Sequence, residues 1–166
     1  LSGQDVRDRP LDKAQAADEK HKPFDDERSE FMGTLRLWKW IEAGRGHGED
    51  AASHPHKLTN RQQEQRLREH FISPRRVREW RDIHSQLHTV VAEHGWRLNE
   101  SPATYEQLHL SLLAGLLGNI GCKSEDEDWY LGARGIKFWR HPGAHLSKKP
   151  GRWLLAAELV ETTRLF

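Results

Sequence analysis

Apolar residues along the chain recur first at helical spacing and then at strand spacing. Behind a polar segment at residues 1–10, the run 11–22 is rich in Ala, Lys, Gln and Glu, which are good helix formers, and Pro23 stops it. Phe31, Leu35, Trp38 and Ile41 follow at three- and four-residue spacing, predicting a second amphipathic helix capped by Asp25 or Asp26 and ended at Ala43-Gly44. The stretch 44–57, a Gly, His, Asp and Ser stretch with no apolar periodicity, reads as a mobile linker. A third helix over 59–71 has so few apolar positions that it must lean on a neighbour. Ser73-Pro74 opens a fourth, with Val77, Trp80, His84, Leu87 and Val91 on one face and Gly95 closing it.

Ser101-Pro102 repeats that start signal. Tyr105, Leu108, Leu112, Leu113, Leu116, Leu117 and Ile120 then make the most apolar helix of the chain, predicted to be central and to end at Gly121. Gly115 and Gly118 on it suggest the close approach of another backbone. Trp80 and Leu87 are predicted to pack on Leu112, Leu113 and Leu116. Beyond the acidic turn Glu125, Asp126, Glu127 and Asp128, the period shortens: Trp129-Tyr130-Leu131, Ile136-Lys137-Phe138-Trp139 and 153–160 are short apolar or alternating runs between glycines and prolines. Helices followed by a small antiparallel sheet make the fold class α+β.

Composition narrows the function classes. A hydrophobic fraction of 36% with seven Trp supports a packed core, since each indole brings a large apolar area. The formal charge is only +1, so any basic surface must be local. The single cysteine, Cys122, excludes an internal disulfide and a cysteine-based zinc cluster. There is no apolar run long enough to span a bilayer and no signal-peptide core, so no membrane partner is expected and the location reads as cytoplasmic. The chain starts at Leu1 without Met and ends on Leu165-Phe166, as if cut from a longer protein.

The most informative chemistry is local. Arg134, Lys137, Arg140, His141, Lys148, Lys149 and Arg152 lie among Trp129, Tyr130, Phe138 and Trp139. Cations that track phosphates and rings that stack on bases suit single-stranded nucleic acid. The alternative is that the rings are core and the cations keep an edge strand soluble. Arg75, Arg76, Arg78 and Arg81 could add phosphate contacts or simply pair with Glu79 and Asp82 nearby. His47, His54 and His56 match no closed zinc spacing, so no metal site is assigned. Cys122 reads as a small packing residue, and the four acids 125–128 as a solvated turn. The sequence 132–137, Gly-Ala-Arg-Gly-Ile-Lys, lacks the Gly-Lys-Ser/Thr ending of a phosphate-cradling loop, and no Asp-Glu-Ala-His box is present. No catalytic residue is assigned.

Three stretches together resemble bacterial DEAH-box RNA helicases of the HrpA subgroup. Residues 2–10, Ser-Gly-Gln-Asp-Val-Arg-Asp-Arg-Pro, are similar to that family's S-I-Q-D-P-R-E-R-P segment, with Gly3 and Val6 departing from it. Residues 76–87, Arg-Val-Arg-Glu-Trp-Arg-Asp-Ile-His-Ser-Gln-Leu, and 113–121, Leu-Ala-Gly-Leu-Leu-Gly-Asn-Ile-Gly, form the second stretch. His141-Pro142-Gly143-Ala144, Trp153 and 158–166, Glu-Leu-Val-Glu-Thr-Thr-Arg-Leu-Phe, form the third, with Ala144 where Ser is usual.

The resemblance implies a C-terminal helicase region: ratchet-like helices over 1–44, a linker over 45–58, continued helices over 59–121 and a truncated OB-fold-like barrel over 122–166. It implies an ATP-dependent parent whose motor, with its ATP and magnesium, lies outside this chain. The chain itself would then hold no cofactor, be inactive alone, contact single-stranded RNA and pack against the motor domains. The competing expectation is a structural, protein-docking module with no RNA contact.

Overall fold

Ser29 and Ser73 each turn a hydroxyl back onto the backbone N–H three residues ahead, and a helix begins at each place. The computed structural model describes residues 5–46, 57–146 and 151–161, which form two units, 1–98 and 99–166. The division falls inside the stretch 59–121 read as continued helices, so the last helix belongs with the sheet. The expected linker 45–58 lies mostly outside the described residues.

In the first unit α1 spans Ala14–His21, α2 Glu30–Ala43, α3 Asn60–Glu69 and α4 Pro74–Glu93. Ser29, not Asp25 or Asp26, is the N-cap of α2; Asp26 instead accepts from the N–H groups of Arg28 and Ser29 at 2.9 and 3.0 Å and steers the chain into the cap. The core is Val6, Phe24, Leu37, Ile41, Leu67, Ile72 and Val77, with Trp40 and Trp80 against it. On α2 the buried stripe runs through Leu37 and Ile41, while Phe31 and Leu35 are half-buried.

The last carbonyls of α2 have no partner within the helix. Gln63 Nε2 donates to Ile41 O at 3.0 Å, and Arg66 Nη1 donates to Trp40 O at 3.2 Å while its guanidinium covers the Trp40 ring at 3.7 Å. Gly44 is buried beneath these two side chains, and any Cβ there would collide with both. The polar N-terminal segment is also built in: Asp8 N donates to Phe71 O at 2.7 Å, Ser73 N to Val6 O at 2.8 Å, and Arg7 bridges Ile72 in antiparallel sense.

In the second unit α5 spans only Tyr105–Gly115, capped by Thr104 rather than Ser101. Ile120 and Gly121, expected to finish that helix, instead begin a strand, β1, Ile120–Lys123. It pairs with β2, Tyr130–Leu131, and with β4, Trp153–Leu155; β3, Lys137–Phe138, pairs with β2. All pairings are antiparallel and the order is β3-β2-β1-β4, a three-strand meander whose fourth strand returns beside the first, in Greek-key order. The sheet is open among the described residues. No residue of α5 is buried, and a Cβ at Gly115 or Gly118 would meet nothing within 4 Å, so within the second unit neither the central position nor the close backbone approach expected there is found. Within its own unit Trp80 packs on Trp38, ring centroids 5.3 Å apart, and Leu87 is 60% exposed.

Candidate nucleic-acid interface

Side chains opposite one another on paired strands share a sheet face, so the register sorts this sheet into two sides. Gly121, Tyr130, Phe138 and Leu154 lie on one side. Tyr130 is 1% exposed, stacks on Phe138 with centroids 5.8 Å apart, and donates its hydroxyl to Gly151 O at 3.2 Å. Burial pushes its phenol pKa up, against the opposing pull of the Arg140 charge. This is the inner face. Cys122, Leu131, Lys137 and Trp153 lie on the other, outer side.

The basic residues singled out in the sequence are spread around this sheet. Lys137, the first residue of β3, is exposed and holds its ammonium 4.4 Å over the Trp129 ring. Arg134 is exposed in the short 3₁₀ turn Ala133–Gly135 between β2 and β3, where its φ of 56° is left-handed. That turn is closed by Gly132 N donating to Ile136 O at 2.7 Å and leads into a strand, with no helix N-terminus behind it. Arg140 is half-buried just after β3. His141 Nδ1 accepts from Gly143 N at 3.1 Å, so the imidazole shapes the His-Pro-Gly turn. Arg152 is exposed at the start of β4, and its carbonyl accepts from Lys123 N at 2.8 Å. Lys148 and Lys149 lie outside the described residues.

Acidic charge gathers at the β1–β2 turn. A shallow hollow there is lined by Lys123, Glu125, Asp126, Glu127, Asp128 and Trp139, with Lys123 tied to Asp128 at 3.6 Å and to Glu127 O at 3.2 Å. The four carboxylates make that end unfavourable for a polyanion. In the first unit the arginine cluster on α4 is neutralised: Arg75 pairs with Glu79 at 3.1 Å, and Arg76 with Asp8, Arg78 with Glu64 and Arg81 with Glu42 at 3.0 Å each. Three of those partners come from outside α4, a pairing that residue spacing could not reveal. His47, His54 and His56 are outside the described residues, and among the described residues no metal-holding group of His, Cys, Asp and Glu is found. No described helix is long and apolar enough to cross a membrane.

No protein-family profile matches the chain. It is 43% identical over all 166 residues to the ATP-dependent RNA helicase HrpA of Escherichia coli strain K12. The chain is homologous to a segment of HrpA. A second relative, the ATP-dependent RNA helicase HrpA homolog of Haemophilus influenzae, is 39% identical over the same 166 residues. The chain spans 12% of the length of each HrpA relative. The similarity therefore covers both units, the helices and the Greek-key sheet alike.

Proposed function

We propose that this chain is an accessory RNA-binding region of an ATP-dependent DEAH-box RNA helicase, contacting single-stranded RNA and coupling that contact to the motor by packing on it. The observation that carries the reading is the similarity of all 166 residues to a segment of HrpA combined with a small open sheet carrying exposed Lys137, Arg134 and Arg152 beside aromatic rings. Its Greek-key order is the order of an OB fold, a five-stranded Greek-key barrel that binds oligonucleotides, which supports reading 122–166 as a partial OB domain. Cations on such a surface attract phosphates of any sequence. ATP and magnesium belong to the motor in this reading, and the RNA-contacting set is Arg134, Lys137, Arg140, His141, Lys148, Lys149 and Arg152.

A second reading, protein docking without RNA contact, draws on the exposed Leu87, Val90, Trp96 and Leu98 at and beyond the end of α4. Intrinsic tryptophan fluorescence of the chain titrated with oligo-RNA at two salt concentrations separates the two. Quenching that weakens at the higher salt supports RNA contact. Fluorescence indifferent to RNA at both salt concentrations supports docking.

A further inference from the structure

The register draws one line of side chains across all four strands on the outer face: Trp153 of β4, Cys122 of β1, Leu131 of β2 and Lys137 of β3. We propose that this line is a base-stacking platform for single-stranded nucleic acid, with Trp153 as the ring that receives a base. The inference rests on the RNA reading above and adds to it a residue and a mode of contact that the basic residues alone do not supply.

Exposure is the first argument. Tyr130 and Phe138 fill the inner face, whereas Trp153 is 66% exposed and Leu131 46% exposed. An indole on an edge strand with most of its surface in water contributes little to the core, yet presents a flat π-face at low conformational cost. Charge is the second. The line itself holds no carboxylate, ends on Lys137, and has Arg152 adjacent to Trp153 and Arg134 in the turn before Lys137. The acids 125–128 sit instead in the β1–β2 turn around Trp139, which makes Trp139, although 63% exposed, the poorer ring for a polyanion. Reach is the third. Three strand spacings separate Trp153 from Lys137, roughly 14 Å, so a strand crossing the sheet can place a base on the indole and a phosphate near the ammonium. Stacking on an aromatic ring tolerates any base, so the platform would be indifferent to sequence.

The test uses the whole chain, a labelled short oligouridylate and a matched abasic ribose-phosphate oligomer, read by fluorescence anisotropy. Trp153→Ala is expected to weaken oligouridylate binding on the order of tenfold while leaving binding of the abasic oligomer and the salt slope unchanged. Trp153→Phe, which keeps a π-face, is expected to restore most of the loss, and an unchanged thermal midpoint shows that the exposed ring was not holding the fold. The platform is overturned if Trp153→Ala binds oligouridylate as the parent chain does, or loses equally on both oligomers. If the unsubstituted chain binds neither oligomer at low salt, the RNA reading itself falls and the platform falls with it.

Discussion

The ring of Phe138 occupies the space in which a side chain on Gly121 would stand. A Cβ at Gly121 would collide with Phe138 Cζ and lie 2.9 Å from Tyr130 Cβ, so the glycine is what lets β2 and β3 fold their rings over β1. Gly121→Ala should therefore destabilise the second unit by about 1–3 kcal/mol, the usual cost of overpacking. The measurement is a denaturant midpoint followed by near-ultraviolet circular dichroism, where loss of the Tyr130–Phe138 stack registers; an unchanged midpoint would mean that the rings move aside freely.

Two positions on one face of α4 should behave very differently. Trp80 packs on Trp38 and the core, whereas Leu87 is 60% exposed. Trp80→Ala is expected to cost about 2–3 kcal/mol as a large-to-small change at the core margin, and Leu87→Ala to stay within about 0.5 kcal/mol. Urea denaturation of the two variants beside the parent chain decides it, and equal losses would contradict the packing described.

Acid should loosen the entry to α2. Burial alone would raise the Asp26 carboxyl pKa, but hydrogen bonds from the N–H groups of Arg28 and Ser29, with the Arg36 and Arg28 charges, bring it below the ordinary carboxylate range. A group whose folded pKa lies below its unfolded value releases its proton more readily in the folded state. The stability it adds is thus present above the ordinary carboxylate value of the unfolded chain and is lost as pH falls through the lower folded value. Asp26→Asn should flatten the dependence of the denaturation midpoint on pH in that acid window. A pH dependence as steep as the parent chain's would show that other carboxylates carry it.

In the proposed reading ATP and magnesium belong to the motor, so the chain alone is expected neither to bind nor to hydrolyse ATP. A coupled phosphate-release assay with and without RNA checks this, and RNA-stimulated turnover by the pure chain would refute it.

Where local chemistry alone decides, the sequence was readable. Ser73-Pro74 starts α4 and Gly95, at φ 65°, follows its end, because a cap hydroxyl, a preset proline φ and a left-handed glycine act within a few residues. The strand β1 was not readable. Ile120-Gly121-Cys122-Lys123 follows directly on the Leu-rich run of α5, and the partners that hold it, at 130–131 and 153–155, are distant in sequence. The same distance hid the outer-face line, since Trp153 joins Leu131 only through pairing with Cys122. It also hid the anchoring of residues 5–8, whose partners Phe71, Ser73 and Arg76 lie more than sixty residues away.

The salt dependence of RNA affinity tests the central claim most directly. Binding of a single-stranded oligonucleotide to the chain is measured over a salt series, then repeated with Arg134, Lys137 and Arg152 replaced by Ala, and again with Lys148→Ala and Lys149→Ala. An RNA-contacting surface predicts that affinity falls linearly with salt on logarithmic axes, and that each lost phosphate contact weakens all sequences alike and lowers the slope by about one unit. Affinity and slope that stay unchanged in both sets of variants, or no binding by the parent chain at low salt, would contradict the account.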